Sequence, residues 1–199
     1  MPTVKRDVAH APQFAHTQPY PVAAKVLSRD ILHKTEVGGV ALGITDRKAF
    51  DACIEKLLAA VRSSAPSAVI DGVLVQPMVK GLAEAIVGYR HDPLVGPVVL
   101  VGMGGQLAEI YRDIALECAP VSEDQARAMV ARIKGFATLR GYRNLPKGDL
   151  DALARSVAAV SRLALLPGQP VAEAEINPVM VLQDGVVAVD GLVVMKGTA

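Results

Sequence analysis

Two carboxylates and an amide near the end of the chain could form a magnesium site. Glu175 and Asn177 lie within Ala174–Pro178, and Asp190 follows Asn177 by thirteen residues. The segment Gln183–Gly185 predicts a turn between two runs of β-branched residues, so that a hairpin would bring the three side chains near one another. Magnesium prefers oxygen ligands and takes only one or two protein carboxylates beside its waters. Taken alone, the same pattern also fits solvated turn residues.

A lysine in an apolar run, followed by a glycine pair, could bind phosphate. Lys25 lies within Pro21–Leu27, and Gly38 and Gly39 lead into the next strand-like stretch. The lysine would meet phosphate oxygens as a point charge, and backbone N–H groups at the glycines could approach the same oxygens without a Cβ in the way. An edge-strand lysine that reaches water and a simple turn are the alternatives. The glycines of Gly102–Leu107 match neither the Walker nor the Rossmann spacing.

One histidine and two arginines have open alternatives. A neutral imidazole at His33 is a competent nucleophile near neutral pH, but a loop histidine that only bonds to backbone fits the residue type as well. Arg140 and Arg143 suit either phosphate or carboxylate partners, or helix ends on the surface. His91 lies in a predicted turn, and we expect a structural role for it.

Three apolar stripes predict helices. The first extends from Phe50 to Val61, with Thr45 or Asp46 as the N-cap. A capping box formed by Ser122 and Gln125 precedes the second. The third stripe begins at Leu150 and is closed by Leu166-Pro167-Gly168.

The strand-like runs at Val73–Val75, Ala83–Val87 and Val98–Val101 predict strands of one sheet. The alternation of helices and strands indicates an α/β or α+β fold in which helices cover a mainly antiparallel sheet. Residues 1–19 have no periodic pattern and are predicted to form an irregular arm, either a tail or a segment that lies on another subunit.

Composition limits the function classes. The chain has 199 residues, of which 51% are hydrophobic, enough for one domain or a two-lobed one. A formal net charge of +1 gives no argument for nucleic acid or an anionic membrane as partner. Neither a long apolar span nor a secretory leader is indicated, so cytoplasmic residence is the expectation. Cys53 and Cys118 are predicted to be core thiols.

Taken together, the separated motifs resemble the ATP-grasp domain of the NDP-forming acyl-CoA synthetases, relatives of the β subunit of succinyl-CoA synthetase. The resemblance extends from about Tyr20 to Val194 and rests on a set of motifs in the family's order: Lys25, Leu32–Val40, Val73–Gln76, Glu84–Gly88, Gly96–Gly105 and Glu175–Pro178. It implies two lobes with antiparallel sheets, the smaller at 20–88 and the larger at 89–199. The N-terminal lobe is expected to be truncated, because residues 1–19 do not resemble the family's first helix and strand.

The resemblance also implies site roles. The nucleotide-binding residues would be Lys25, Gly38, Gly39, Gln76, Met78, Val79 and Glu84. Asn177 and Asp190 match magnesium ligands, His33 matches a phosphate carrier, and Glu175 matches the acid that steadies a phosphohistidine by accepting its other ring N–H. Where relatives commonly have an acid after the glutamine, Pro77 removes a backbone N–H and stiffens the segment.

The function implied by the resemblance is the nucleotide-binding and phosphoryl-transfer part of an ADP-forming acyl-CoA synthetase, an acid–thiol ligase. Its cofactor and substrates would be Mg²⁺ and ATP or ADP. A CoA-binding α-type subunit or domain would supply the missing modules, which implies an oligomer. The alternative from another class is a degenerate ATP-grasp domain with an interaction or regulatory role.

Overall fold

The alternating apolar runs and the three helical stripes become ten strands and three α-helices in the computed structural model, which describes residues 4–6, 19–105 and 112–197. The chain divides into two units, Met1–Met78 and Val79–Ala199. Every pairing between the described strands is antiparallel, which confirms the fold class predicted from the sequence.

In its described residues, the first unit is a four-stranded sheet with one helix. Its elements are β1 (Val4–Arg6), β2 (Val22–Leu27), β3 (Val40–Ile44), α1 (Arg47–Ser64) and β4 (Gly72–Pro77). The strand order is β1-β4-β2-β3, so that β2 and β4 are the inner strands. Most of the arm expected at 1–19 lies outside the described residues, and its described part, Val4–Arg6, pairs with β4.

Helix α1 begins where the sequence predicts. The N-cap carboxylate of Asp46 accepts a hydrogen bond from Ala49 N at 2.8 Å, which satisfies one of the free N–H groups of the first turn. The helix buries one stripe against β2 and β4, formed by Phe50, Ile54, Leu57, Leu58 and Val61. Each such side chain contributes about 1.5–3 kcal/mol of burial free energy, so the stripe holds the helix on this face of the sheet.

The second unit has a larger sheet and two main helices. Its strands are β5 (Ala83–Asp92), β6 (Gly96–Met103), β7 (Ile114–Cys118), β8 (Val171–Val181), β9 (Val186–Ala188) and β10 (Gly191–Met195). The helices are α2 (Glu123–Arg132) and α3 (Leu150–Ser161), with 3₁₀ turns at Gly135–Arg140, Tyr142–Asn144 and Arg162–Leu165. The sheet order is β10-β8-β5-β6-β7, and β9 also pairs with β8.

The two helices cover one face of this sheet. The predicted capping box is present, because Ser122 Oγ accepts from Gln125 N and Gln125 Oε1 accepts from Ser122 N. Met129 on α2, Leu153 on α3 and the 3₁₀ residue Phe136 are fully buried in the core that includes the inner side of β5, β6 and β8. The opposite face of the sheet is therefore the one available to polar site residues.

The prediction of one sheet for the three strand-like runs is wrong. The first run lies in β4 of the first unit, whereas the other two lie in β5 and β6 of the second. Residues 78–82, between β4 and β5, are not paired as strands, so β4 and β5 join different partners. The structure also divides the chain between Met78 and Val79 rather than between residues 88 and 89, because β5 runs unbroken from Ala83 to Asp92.

Within the described part of the chain, no helix has the length and apolar content needed to span a bilayer.

Candidate functional site

Lys25 lies on an inner strand, on the sheet face opposite α1. Successive side chains of a strand alternate between faces, and Val22, Ala24 and Val26 belong to the core against α1, so Ala23 and Lys25 point to the other side. The Lys25 side chain is only 4% exposed. Since β2 pairs with both β3 and β4, the alternative of an edge-strand lysine that reaches water does not describe this residue.

Gln76 shares this face and begins the chain segment that links the two units. It pairs with Ala23 in the β2–β4 register and is 9% exposed. Met78 N donates to Pro21 O at 2.9 Å, which ties the last residue of the first unit to the start of β2. Val79 is the first residue of the second unit, so the predicted inter-lobe residues do lie at the junction in the chain.

The glycine pair has a packing reason that the sequence did not reveal. Gly38 N donates to Thr35 O at 3.1 Å, and Gly39 N donates to Lys34 O at 2.7 Å, so both amides are engaged within the loop. Gly38 has a φ of +69°, a value that favours glycine. A Cβ on Gly39 would lie 2.5 Å from Cγ1 of Val26. Because both N–H groups already donate to loop carbonyls, the expected contact with phosphate remains a prediction for the loop as a whole and not for these two amides.

His33 lies at the start of the same loop. Its side chain is exposed, and its backbone carbonyl accepts from Glu36 N at 3.3 Å as the turn begins. The neighbouring Leu32 is also exposed. The position leaves the imidazole accessible from solvent, as both the carrier role and the simple loop role require.

In the second unit, an irregularity in β8 decides which side chains face away from the helices. Ala85 pairs with Val179, but Val87 pairs with Ile176, so β8 has one extra residue at Asn177–Pro178. One extra residue in a strand shifts the alternation of its side chains, so every later side chain lies on the other face of the sheet. Ile176 before the bulge and Val179 after it therefore both pack toward the helix core, while Glu175 and Asn177 lie on the opposite face.

The predicted hairpin forms and places Asn177 opposite Asp190. The β8–β9 and β8–β10 pairs share one register, from Val179 with Ala188 to Ile176 with Gly191, and this register sets Asn177 against Asp190. Asn177 N donates to Asp190 O at 3.2 Å across the gap between β9 and β10. On β8 itself, Asn177 Nδ2 donates to Glu175 Oε1 at 3.3 Å.

This donor set fits magnesium. The contact with Glu175 uses the amide nitrogen of Asn177 and so orients its side-chain oxygen, the atom that a hard cation takes. Among the described residues there is no group of three or more His, Cys, Asp or Glu side chains in metal-binding proximity. A site with one amide and one or two carboxylates suits Mg²⁺, which keeps several waters, better than it suits an ion that requires a full protein cage.

Glu84 lies near the start of β5, on the same sheet face as Glu175, because Ala85 and Val87 face the helix core. Its carbonyl accepts from Gly104 N at 2.8 Å. Its carboxylate lies against the next glycine, since a Cβ on Gly105 would be 2.6 Å from Glu84 Oε2. Gly105 is thus a contact that sequence reasoning missed, and the two following residues of that glycine-rich stretch lie outside the described residues.

Arg140 and Arg143, for which the sequence left either anion binding or a helix-end role open, make different contacts in the structure. Arg140 Nη2 donates to the carbonyls of Val130, Ala131 and Ile133 at 2.8–3.3 Å, so it caps the C-terminal end of α2. Its helix-end interpretation is the one that the structure shows. The guanidinium of Arg143 lies 5.2 Å from the ring centroid of Tyr142, in a cation–π contact.

The structure has two α/β units with antiparallel sheets. In each unit the candidate polar residues lie on the sheet face away from the helices. A family model described as an ATP-grasp domain matches residues 2–195, and the chain belongs to this family. The match includes most of the segment expected as an arm.

Two of the chain's relatives are ADP-forming acetate–CoA ligases. The chain is 40% identical over 187 residues to the ADP-forming acetate–CoA ligase I of Archaeoglobus fulgidus, in a match that covers 94% of this chain and 27% of that protein. It is 33% identical over 193 residues to the β subunit of the ADP-forming acetate–CoA ligase I of Pyrococcus furiosus, covering 96% of this chain and 82% of the subunit. The chain thus spans about a quarter of the first relative and most of the second.

Solved structures of an acetyl-coenzyme A synthetase have the same fold as this chain. The dinucleotide forming acetyl-coenzyme A synthetase 1 of Ca. Korarchaeum cryptofilum, in complex with coenzyme A, Ca-AMPCP and HgCl⁺, has a TM-score of 0.88 at 29% identity, covering 98% of this chain and 86% of that one. A second structure of that protein, with coenzyme A and Mg-AMPPCP, has a TM-score of 0.79 at 27% identity, with coverage of 98% and 84%. The chain is therefore an ATP-grasp domain of the kind found in ADP-forming acyl-CoA ligases.

Proposed function

We propose that this chain is the nucleotide-binding and phosphoryl-transfer component of an ADP-forming acyl-CoA synthetase. The overall reaction would convert a carboxylate, CoA and ATP into acyl-CoA, ADP and phosphate. The observation that supports it most is the placement of Asn177 directly opposite Asp190, with Glu175 bonded to Asn177 on one sheet face. The similarity to ADP-forming ligases supports this choice of reaction.

Asn177 and Asp190 would hold Mg²⁺ through their side-chain oxygens. When bound, the ion neutralises charge that develops between the β- and γ-phosphates. Lys25 is proposed to contact the phosphates as a point charge, a role that suits a cation kept 4% exposed on an inner strand. The loop through Gly38 and Gly39 would cover the phosphates by its position, since its amides are engaged with Thr35 and Lys34.

The adenine would lie along the chain segment from Gln76 to Val79. Gln76, Met78 and Val79 are proposed to meet it through backbone groups and apolar surface, and the side chains of Met78 and Val79 are half-buried. Glu84, whose carboxylate lies against Gly105, is proposed to face the nucleotide region from β5.

His33 is proposed to relay the phosphoryl group, supported by its exposed position on the glycine-containing loop. In the direction of thioester synthesis, a lone pair on one ring nitrogen attacks the γ-phosphorus of ATP. The bond from that phosphorus to the bridging oxygen breaks, and ADP leaves with the electron pair. The proton stays on the other ring nitrogen, and the phosphoryl group then passes to a histidine of the CoA-binding partner. Glu175 would accept the N–H of a phosphohistidine and fix its tautomer.

A CoA-binding α-type subunit or domain would complete the enzyme, since the P. furiosus relative is a β subunit and the A. fulgidus relative is more than three times longer than the matched part. The acid would be selected in that partner. The assembly would be an oligomer of both components.

The direct test is a calorimetric titration of the purified chain with ATP, once with magnesium and once with a chelator. The proposal expects binding that is tighter with the metal, because Asn177 and Asp190 meet the phosphates through it. Binding that is absent under both conditions would contradict the proposal and favour the alternative, an interaction or regulatory domain that keeps the fold without the activity.

A further inference from the structure

One carboxylate outside the proposed site connects it to the helix layer. Asp149 is the N-cap of α3, and its Oδ1 accepts from Ala152 N at 2.8 Å. Its Oδ2 accepts from Gly185 N at 2.9 Å, in the turn between β8 and β9. The two oxygens of one side chain therefore hold two elements that are 36 residues apart in sequence.

The backbone around Asp149 is attached to the same turn. Asp149 N donates to Leu182 O at 2.8 Å, and Leu182 N donates to Gly185 O at 3.0 Å. Gly148 packs closely beneath the turn, since a Cβ there would lie 3.0 Å from Cγ1 of Val181. Gly185 itself has a φ of +87° and closes the turn. Asp149 thus bonds to both ends of the turn.

The turn is linked to the proposed metal ligands by a hairpin that keeps one register on both sides of the gap between β9 and β10. Val181 pairs with Val186 next to the turn, Val179 pairs with Ala188, and the same register then sets Asn177 against Asp190. Because strand pairs are stiff and register is fixed along the hairpin, a shift of the turn is passed to the residues at the bulge. The bulge lacks part of the ladder and so depends on its neighbours for position.

We propose that Asp149 is a positioning residue that fixes Asn177 and Asp190 by coupling the first turn of α3 to the β8–β9 turn. The inference rests on the proposed function, because it takes Asn177 and Asp190 as the magnesium ligands. The two hydrogen bonds that the carboxylate accepts, from the backbone N–H of Ala152 and then of Gly185, also hold the pKa of Asp149 below its usual range. The carboxylate is therefore charged near neutral pH.

The test variant is Asp149→Asn, which keeps the side-chain volume and one oxygen for the helix cap. Its amide nitrogen cannot accept from a second N–H group, so one of the two bonds is lost. Asp46→Asn is the matched control, because Asp46 caps α1 with one oxygen on Ala49 N and has the same charge. Asp149→Ser is the second variant, which also caps a helix and cannot reach both partners.

Two measurements separate positioning from folding. Hydrogen exchange should accelerate at Gly185 N and at the amides of Asn177 and Val189, which bond to Asp190 O and Pro178 O across the hairpin. Calorimetry should show magnesium-dependent ATP affinity about tenfold weaker, the lower end of the loss when a group that orients metal ligands is removed. Titration in chelator should be unchanged, and Asp46→Asn should change neither readout.

The outcomes are distinguishable. Faster exchange at Gly185 alone, with Asn177 and Val189 amides protected as before and affinity unchanged, would overturn the positioning role. If the wild-type chain shows no metal-dependent binding, the proposed function fails. The exchange at Asn177 and Val189 then still decides whether Asp149 fixes the hairpin.

Discussion

Gly39→Ala should destabilise the first unit with no ligand present. The new Cβ would lie 2.5 Å from Cγ1 of Val26 and 3.0 Å from the carbonyl oxygen of Lys34. Ordinary contacts of this kind are about 3.5–4.0 Å, so at least one neighbour must move. Val26 is fully buried in the core against α1, and Lys34 O already accepts from Gly39 N, so neither can move without loss.

The magnitude follows from this geometry. Adding one carbon to a filled core costs about 1–3 kcal/mol when neighbours must shift. For a chain of this length, a loss of about 2 kcal/mol corresponds to roughly 4–8 °C in Tm. The cost should be the same with and without ATP, because the glycine is required by packing rather than by phosphate.

A double-mutant cycle provides the assay. Val26→Ala removes the atom that the new Cβ meets, so Gly39→Ala should cost at least about 1 kcal/mol less in that background than in the wild type. The free energy of unfolding is measured by urea titration for the wild type, the two single variants and the double variant. Strictly additive costs would mean that the two side chains do not compete for the same space, which would contradict this explanation of Gly39.

Three further predictions concern the site. Lys25→Met keeps the length of the side chain but removes a charged donor worth about 1.5–3 kcal/mol, so ATP affinity measured by calorimetry should fall about 10- to 150-fold. Lys48→Met, at an exposed position on α1, should bind as the wild type does. His33→Ala should bind ATP but lose the acid-labile phosphate that forms when the chain is mixed with its CoA-binding partner and MgATP; phosphate retained on this variant would eliminate the relay. The folded-state pKa of Asp149 is lowered, so its contribution to stability is present above its unfolded pKa and is lost as the pH falls through the folded value. Asp149→Asn should therefore be less stable than the wild type at neutral pH and approach it below about pH 4 in urea unfolding; a constant difference at all pH values would contradict the linkage.

Local patterns in the sequence predicted the local structure. The helical stripe from Phe50 to Val61 and its cap at Asp46 are present, and so is the capping box at Ser122. The turn at Gln183–Gly185 joins β8 to β9 as expected. Each of these features depends on residues within a few positions of one another, which is the range over which spacing and capping chemistry act.

Features that depend on distant partners could not be predicted. Sheet membership separates β4 from β5, although both are apolar runs of similar composition, because pairing is decided by strands far away in sequence. The bulge at Asn177–Pro178 is visible only against β5, yet it decides which side chains face away from the helices. The packing role of Gly39 needed the position of Val26, and the second bond of Asp149 needed the position of Gly185.

Asn177 and Asp190 are proposed to hold the metal through which the chain binds nucleotide. The most direct test is calorimetric titration of Asp190→Ala and of the wild type with ATP, in magnesium and in chelator, after confirming that both unfold at similar temperatures. We expect the variant to bind ATP more weakly than the wild type in magnesium and equally in chelator. Equal weakening under both conditions would contradict the assignment of Asp190 as a metal ligand.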